Sequence, residues 1–292
     1  MPTKNEKDAL SGVYTTGHEW DGISELNNPL PRWWLYVFYA CIAWAVVYLV
    51  LYPGVPLGKT YWHGLLGWSM RAESARDLEA ASQQQAGLRT QLVAASYDQI
   101  KASPDLLNFA LAGGKIAFAQ NCAACHGAGG QGARGFPNLT DDKWIFGGKY
   151  EDILNTVTHG AHNSDPDGHS LFMPAWIEDS APTKLTMAQV GDVAEYVLSI
   201  NKRSTDAAAA TRGQQIFADN CVACHGSNAE GNQDMGAPAL NDNNWLYGGD
   251  KATLVTTISR GRGGVMPNWG ARLDAATIKS VALYVHELGG GK

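Results

Sequence analysis

Phe118-Ala119-Gln120-Asn121-Cys122-Ala123-Ala124-Cys125-His126-Gly127 is matched, 99 positions further on, by Phe217-Ala218-Asp219-Asn220-Cys221-Val222-Ala223-Cys224-His225-Gly226. The likeness continues downstream. Pro137, Leu139, Asp141, Trp144, Gly147 and Gly148 correspond to Pro238, Leu240, Asp242, Trp245, Gly248 and Gly249, and Met173-Pro174-Ala175-Trp176 corresponds to Met266-Pro267-Asn268-Trp269. Each half closes on an apolar pattern spaced by three and four, Val190, Val193, Ala194 and Val197 in one and Ile278, Val281, Ala282 and Val285 in the other, which predicts a helix. The chain therefore contains an internal repeat, two copies of one small helical domain. The spacing predicts domains at residues 105–201 and 212–292, with 202–211 as the linker between them. Tyr196 and Tyr284 are expected to pack on the first helix of their own copy.

Cys-x-x-Cys-His is the attachment signature of c-type haem: two thiols on one helical turn bond the porphyrin edge and the adjacent imidazole ligates iron. Cys122 and Cys125, and Cys221 and Cys224, are thus the expected covalent attachment points of two haems c, with His126 and His225 as the proximal iron ligands. Zinc is disfavoured, because each motif lacks a second ligand pair at the usual spacing. The sixth iron position needs a side chain that reaches across the ring, and Met173 and Met266 are the candidates. Met1 is terminal, Met70 lies near the apolar run described below, Met187 falls on a helical face suited to core packing, and Met235 sits in a Gly-rich loop without a counterpart in the first copy. Whether each methionine serves the haem of its own copy or of the other is left open. The first copy carries eight extra residues between Gly160 and Met173, including His162, Asp165, Asp167 and His169, which are read as a solvated loop rather than a second metal site. Arg134, Arg260 and Arg262 are either partners of haem propionates or solvated.

Upstream, Trp33 to Tyr52 is twenty residues without a charge, enough helix to span roughly 30 Å of bilayer core. Trp33, Trp34, Tyr48 and Tyr52 stand where interfacial aromatic belts occur. Cys41, inside this run, acts as a small hydrophobe. About thirty hydrophilic residues precede the run, so it reads as an uncleaved single-pass anchor rather than a signal peptide. Residues 1–32 form an N-terminal segment, and residues 53–104 an interfacial stretch followed by a helical linker rich in Ala, Gln, Leu and Glu. The fold class is all-α: one transmembrane helix and two tandem cytochrome c-type domains. With 22 Lys and Arg against 28 Asp and Glu, the formal charge of −6 argues against nucleic acid and favours basic partners.

His18-Glu19-Trp20-Asp21-Gly22-Ile23, followed by Glu25-Leu26-Asn27-Asn28-Pro29-Leu30-Pro31-Arg32-Trp33-Trp34, resembles the stretch before the single anchor in the dihaem CcoP or FixP subunits of cbb3-type cytochrome c oxidases. With the two haem motifs, the resemblance covers nearly the whole chain. It implies an electron-transfer subunit of a bacterial inner-membrane complex, with a cytoplasmic N-terminus, periplasmic haem domains and no catalytic residues of its own. Electrons would come from a donor cytochrome c and pass to a monohaem subunit and a haem-copper subunit. A dihaem peroxidase or gas sensor would need an open sixth position, which a Met-Pro-x-Trp in both copies argues against. The cytochrome subunit of a membrane dehydrogenase is the remaining alternative.

Overall fold

A computed structural model describes residues 5–290, which divide by their contacts into two compact units, residues up to 84 and residues from 85 on. In the first, strands β1 (Thr15–Trp20) and β2 (Ile23–Leu26) form an antiparallel hairpin with Trp20 opposite Ile23. Asp21 and Gly22 make the turn with φ of 50° and 84°. An Asp-Gly turn with both φ values positive matches the twist of two antiparallel strands, so this small departure from an all-α chain was present in the sequence.

Helix α1 (Arg32–Leu51) follows Pro31, has no buried residue, and is long and apolar enough to cross a membrane. Its last carbonyls would be unsatisfied in an apolar medium, and the chain folds back to serve them. Tyr52 N–H donates to Tyr48 O at 2.8 Å, Leu65 N–H to Val50 O at 3.0 Å and Leu66 N–H to Leu51 O at 3.1 Å. The return passes through a short hairpin, β3 (Pro56–Leu57) with β4 (Thr60–Tyr61). It ends at Gly64 (φ +74°), where any side chain would collide with the main chain of Leu51 and Tyr52.

Helix α2 (Met70–Ala94) leads into the second unit, where Leu92 is fully buried. Lys279 Nζ donates to the carbonyls of Val93 (2.7 Å), Ala95 (2.8 Å) and Leu92 (3.3 Å), closing the end of α2. Helices α3 (Tyr97–Ala102), α4 (Pro104–Asn121), α5 (Ala123–His126) and α6 (Tyr150–His159) belong to the first copy, with α7 (Met187–Ile200) closing it. Helices α8 (Ala207–Asn220), α9 (Val222–His225), α10 (Lys251–Arg260) and α11 (Ala275–His286), with a 3-10 turn at Gln233–Met235, repeat the pattern. Ala207 to Thr211 is thus helix, not linker. Asp206 caps α8 by accepting from Ala209 N–H, and alanine is the best helix former.

The copies are consecutive in sequence but interleaved in space. One core joins α3, α4 and α6 to α11, through Ile100, Ala110, Phe118, Ile153, Val281 and Leu283. The other joins α8 and α10 to α7, through Val190, Val193, Val197, Phe217, Leu254 and Ile258. Each closing helix therefore packs in the core of the other copy, which corrects the expectation that it closes its own. The tyrosines follow: the rings of Tyr284 and Phe118 lie 5.4 Å apart and those of Tyr196 and Phe217 5.2 Å apart. Two glycines let these helices cross backbone to backbone. A Cβ on Gly114 would land on Ser280 O, and one on Gly213 on Asp192 O. Met187, expected in a core, is 55% exposed at the first turn of α7.

Candidate functional site

The two attachment turns are superposable in their bonding. Cys122 ends α4, its N–H bound to Phe118 O, and the N–H groups of Cys125 and His126 return to Cys122 O, so both thiols and the imidazole share one turn. Cys221, Cys224 and His225 repeat this between α8 and α9. Gly127 and Gly226, with φ of 81° and 76°, end each turn. Burial pushes the Cys122 thiol up to about 11 and that of Cys221 to about 12.

His126 Nδ1 lies 3.0 Å from Pro137 O, and His225 Nδ1 lies 3.0 Å from Pro238 O. A carbonyl only accepts, so Nδ1 carries the proton and Nε2 keeps its lone pair for a metal. The shared Pro137 and Pro238 thereby acquire a defined task as carriers of the orienting carbonyl. Burial also holds His225 below the usual histidine range, in the neutral form that ligation needs.

Met266 packs against the core that contains α4, the same core that Cys122, Ala123 and Trp144 pack against, while Met173 packs against the core that contains α8, the same one that Cys221, Val222 and Trp245 pack against. Each methionine's backbone is paired on both sides with the other copy. Ala161 and Met266 exchange N–H to O bonds of 3.0 and 2.9 Å, and Met173 and Arg262 exchange two of 3.0 Å. Gly160 and Gly261, just after α6 and α10, make this possible (both φ +71°): a Cβ there would strike Met266 O or Met173 O. Trp269 N–H donates to Val157 O at 3.2 Å and Trp176 N–H to Ile258 O at 3.1 Å, so the rest of each Met-Pro-x-Trp also runs along the other copy. Sequence reasoning missed these glycines and Ala161. The recurrence of a Gly after the second helix of both copies was the available signal.

The extra loop of the first copy is engaged rather than solvated. His162 Nδ1 is 2.8 Å from Gly264 O and its Nε2 2.6 Å from Leu171 O. His169 Nε2 is 3.0 Å from Thr156 Oγ1, and its ring stacks on Phe146 at 3.8 Å. Asn163 Nδ2 donates to His159 O (2.9 Å) and Met266 O (2.8 Å), buttressing the methionine. Among the described residues His159, Asp165 and Asp167 come close enough to hold an ion, yet Asp165 already accepts from Asp167 N–H and faces His159 Nδ1 at 3.1 Å. Arg134 and Arg262 are likewise occupied: Arg134 Nε donates to Tyr247 O at 2.8 Å, and Arg262 stacks on the Tyr247 ring at 4.1 Å. Met235 belongs to neither core and lines a small pocket with Phe146 and His169.

The pockets fit a group with acceptor atoms. Trp144 Nε1 donates to Gly290 O at 2.6 Å, but the buried Nε1 of its counterpart Trp245 has no protein partner among the described residues. A buried unpaired donor costs about 1–3 kcal/mol, so it marks a place where a bound group supplies the acceptor. A haem carboxylate would supply such an acceptor, and two thiols, one imidazole and one thioether are the donor types that would hold haem c.

Comparison with known proteins agrees. Residues 12–59 match the family described as the N-terminal domain of cytochrome oxidase-cbb3, FixP. Residues 111–201 match cytochrome c, and residues 208–285 match cytochrome c oxidase, cbb3-type, subunit III. The chain is 57% identical over 296 residues to the cbb3-type cytochrome c oxidase subunit CcoP of Azospirillum brasilense, covering 99% of both chains. The chain belongs to the CcoP/FixP family. Other members of that family include the FixP subunit of Azorhizobium caulinodans, 50% identical over 98% of this chain and 96% of its own, and the CcoP subunit of Cereibacter sphaeroides, 50% identical over the full length of both. A CcoP/FixP chain is mostly helical, with cytochrome c domains that bind haem c and a role in electron transfer, and both domains are recognisable here.

Proposed function

We propose that this chain is the electron-input subunit of a cbb3-type cytochrome c oxidase, carrying two haems c whose axial methionines are exchanged between the copies. In this reading Cys122, Cys125, His126 and Met266 hold one haem, and Cys221, Cys224, His225 and Met173 hold the other. The observation that carries it is that Met266 packs on the core shared with Cys122 and Met173 on the core shared with Cys221, each fixed by paired backbone bonds to the opposite copy. When bound, each haem supplies an iron that changes oxidation state by one electron.

The chain's residues keep that change free of bond chemistry. The Pro137 and Pro238 carbonyls hold the two imidazoles in one tautomer and orientation, which limits rearrangement between the two oxidation states. A thioether prefers the reduced iron and so raises the potential, and Met173 and Met266 on doubly bonded segments leave little room for water or oxygen to take their place. Electrons would arrive from a donor cytochrome c and leave to a monohaem subunit and then the haem-copper subunit, so oxygen reduction occurs elsewhere in the complex. Helix α1 would anchor the chain once in the bacterial inner membrane, with the N-terminus cytoplasmic and the haem domains periplasmic, where covalent attachment of haem c takes place.

Carbon monoxide difference spectra of the reduced, detergent-purified protein test this. The expected result is two thioether-linked haems that bind almost none. Binding at a substantial share of the haem would overturn the relay assignment in favour of an enzyme or sensor.

A further inference from the structure

Both closing helices offer the same apolar face to the same kind of crossing. Val190, Val193, Tyr196 and Val197 on α7 stand where Ile278, Val281, Tyr284 and Val285 stand on α11, and Gly213 and Gly114 receive them alike. Hydrophobic packing therefore discriminates poorly between a closing helix that joins the other copy and one that joins its own. The discrimination must come from positions where the copies differ.

Two such sets meet in space. Glu195 on α7 corresponds to Leu283 on α11, and Lys251 on α10 corresponds to Tyr150 on α6. The Glu195 carboxylate is fully buried, 2.7 Å from Lys251 Nζ, whereas Leu283 and Tyr150 share the other core. Asp192 on α7 corresponds to Ser280, and Arg212 on α8 to Gly113. Arg212 grips Asp192 with two bonds of 2.9 and 2.6 Å, whereas a Cβ on Gly113 would stand 3.6 Å from Ser280 Oγ. If each helix closed its own copy, Glu195 would be buried against a neutral phenol, Lys251 would face a leucine, and Asp192 would lose its guanidinium. Glu195 is buried but Lys251 and Arg212 are more than half exposed, so losing these partners shifts the equilibrium by roughly tenfold.

We propose that the pairs Glu195 with Lys251 and Asp192 with Arg212 dictate which copy supplies which methionine, making these four positioning residues for the haem ligands. This rests on the reading that Met173 and Met266 are exchanged ligands. The pairs act by excluding the alternative as much as by favouring the observed arrangement. The short connection at residues 201–206 is part of the same device, because Glu195 also accepts from Ser204 Oγ at 2.6 Å and Thr205 N–H at 3.1 Å and so draws α7 back onto α8.

The test uses the full-length reduced holoprotein with labelled methionine methyl groups. Nuclear Overhauser contacts to a common haem link each axial methionine to His126 or His225. In the unaltered chain Met173 should link to His225; a link to His126 instead would defeat the exchanged-ligand reading itself. Trading the discriminating residues, by Tyr150→Lys, Lys251→Tyr, Gly113→Arg and Arg212→Gly together, should move a large share of the Met266 signal onto the haem of His225. Retention of the original links in that variant would overturn the proposal while leaving the reading intact. Should that variant yield no holoprotein, Glu195→Leu, Lys251→Tyr, Asp192→Ser and Arg212→Gly together decide, since they give both copies the same residues at all four positions. Each methionine should then show two sets of links, and a single original set would overturn the proposal.

Discussion

Replacing Gly213 by Ala sets two known effects against each other. Alanine is favoured over glycine in a helix interior by about 1 kcal/mol. Against this, the new Cβ would fall on the main-chain oxygen of Asp192 and 2.9 Å from Val193 N. Main-chain atoms cannot swing aside, so α7 must withdraw from α8, loosening Val190, Val193 and the tilted ring contact of Tyr196 with Phe217. Overpacking of a tight core costs roughly 1–3 kcal/mol, and a clash with backbone belongs at the upper end, so the net loss should be about 2 kcal/mol. Gly191 supplies the control. It lies within α7 with nothing inside 4 Å of where an added methyl would stand, so Gly191→Ala should gain up to about 1 kcal/mol. Guanidinium unfolding of the holoprotein, compared at equal slope, measures both. If Gly213→Ala is as stable as Gly191→Ala, α7 does not cross α8 as described.

Lowering the pH should weaken the same core. Hydrogen bonds from Lys251 and Ser204 hold the Glu195 carboxyl at about 2, below its usual 4.5, so its contribution is complete above about pH 4.5 and is lost as the pH falls towards 2. Allowing for the half-exposed Lys251, Glu195→Gln should cost about 1–2 kcal/mol at pH 7 and much less at pH 3, measured by denaturant midpoints; an equal cost at both pH values would contradict the ion pair. Trp245→Phe removes the buried donor assigned to a haem carboxylate and should shift the potential of one haem in a redox titration, while Trp144→Phe, whose indole already serves Gly290, should shift neither; equal effects would refute the asymmetry. Asn163→Ala removes two bonds, one of them to Met266 O, at about 1 kcal/mol each, and should raise carbon monoxide binding at a single haem. Unchanged binding would mean that the extra loop does not brace the ligand.

The attachment turns, the candidate ligands and the apolar helix were legible because each rests on local chemistry: a motif within one helical turn, a repeated Met-Pro-x-Trp, an uncharged run of fixed length. The interleaving was not legible. Val190 and Ile278 belong to the same periodic pattern and fit either core equally well, so periodicity reports that a helix is buried without saying against which partner. What separates the two arrangements is long-range: Glu195 meeting Lys251, and Arg212 meeting Asp192. The loop from His162 to His169 misled for a related reason, since its polar residues look solvated until the opposing carbonyls of Gly264 and Leu171 are in place.

An experimental density map of the haem-loaded protein, fine enough to follow Met173 and Met266 to their sulfur atoms, tests the central claim most directly. The sulfur of Met266 should stand over the iron of the haem bonded to Cys122 and Cys125, and that of Met173 over the iron of the haem bonded to Cys221 and Cys224. Density joining Met173 to the haem on Cys122 and Cys125 would contradict it.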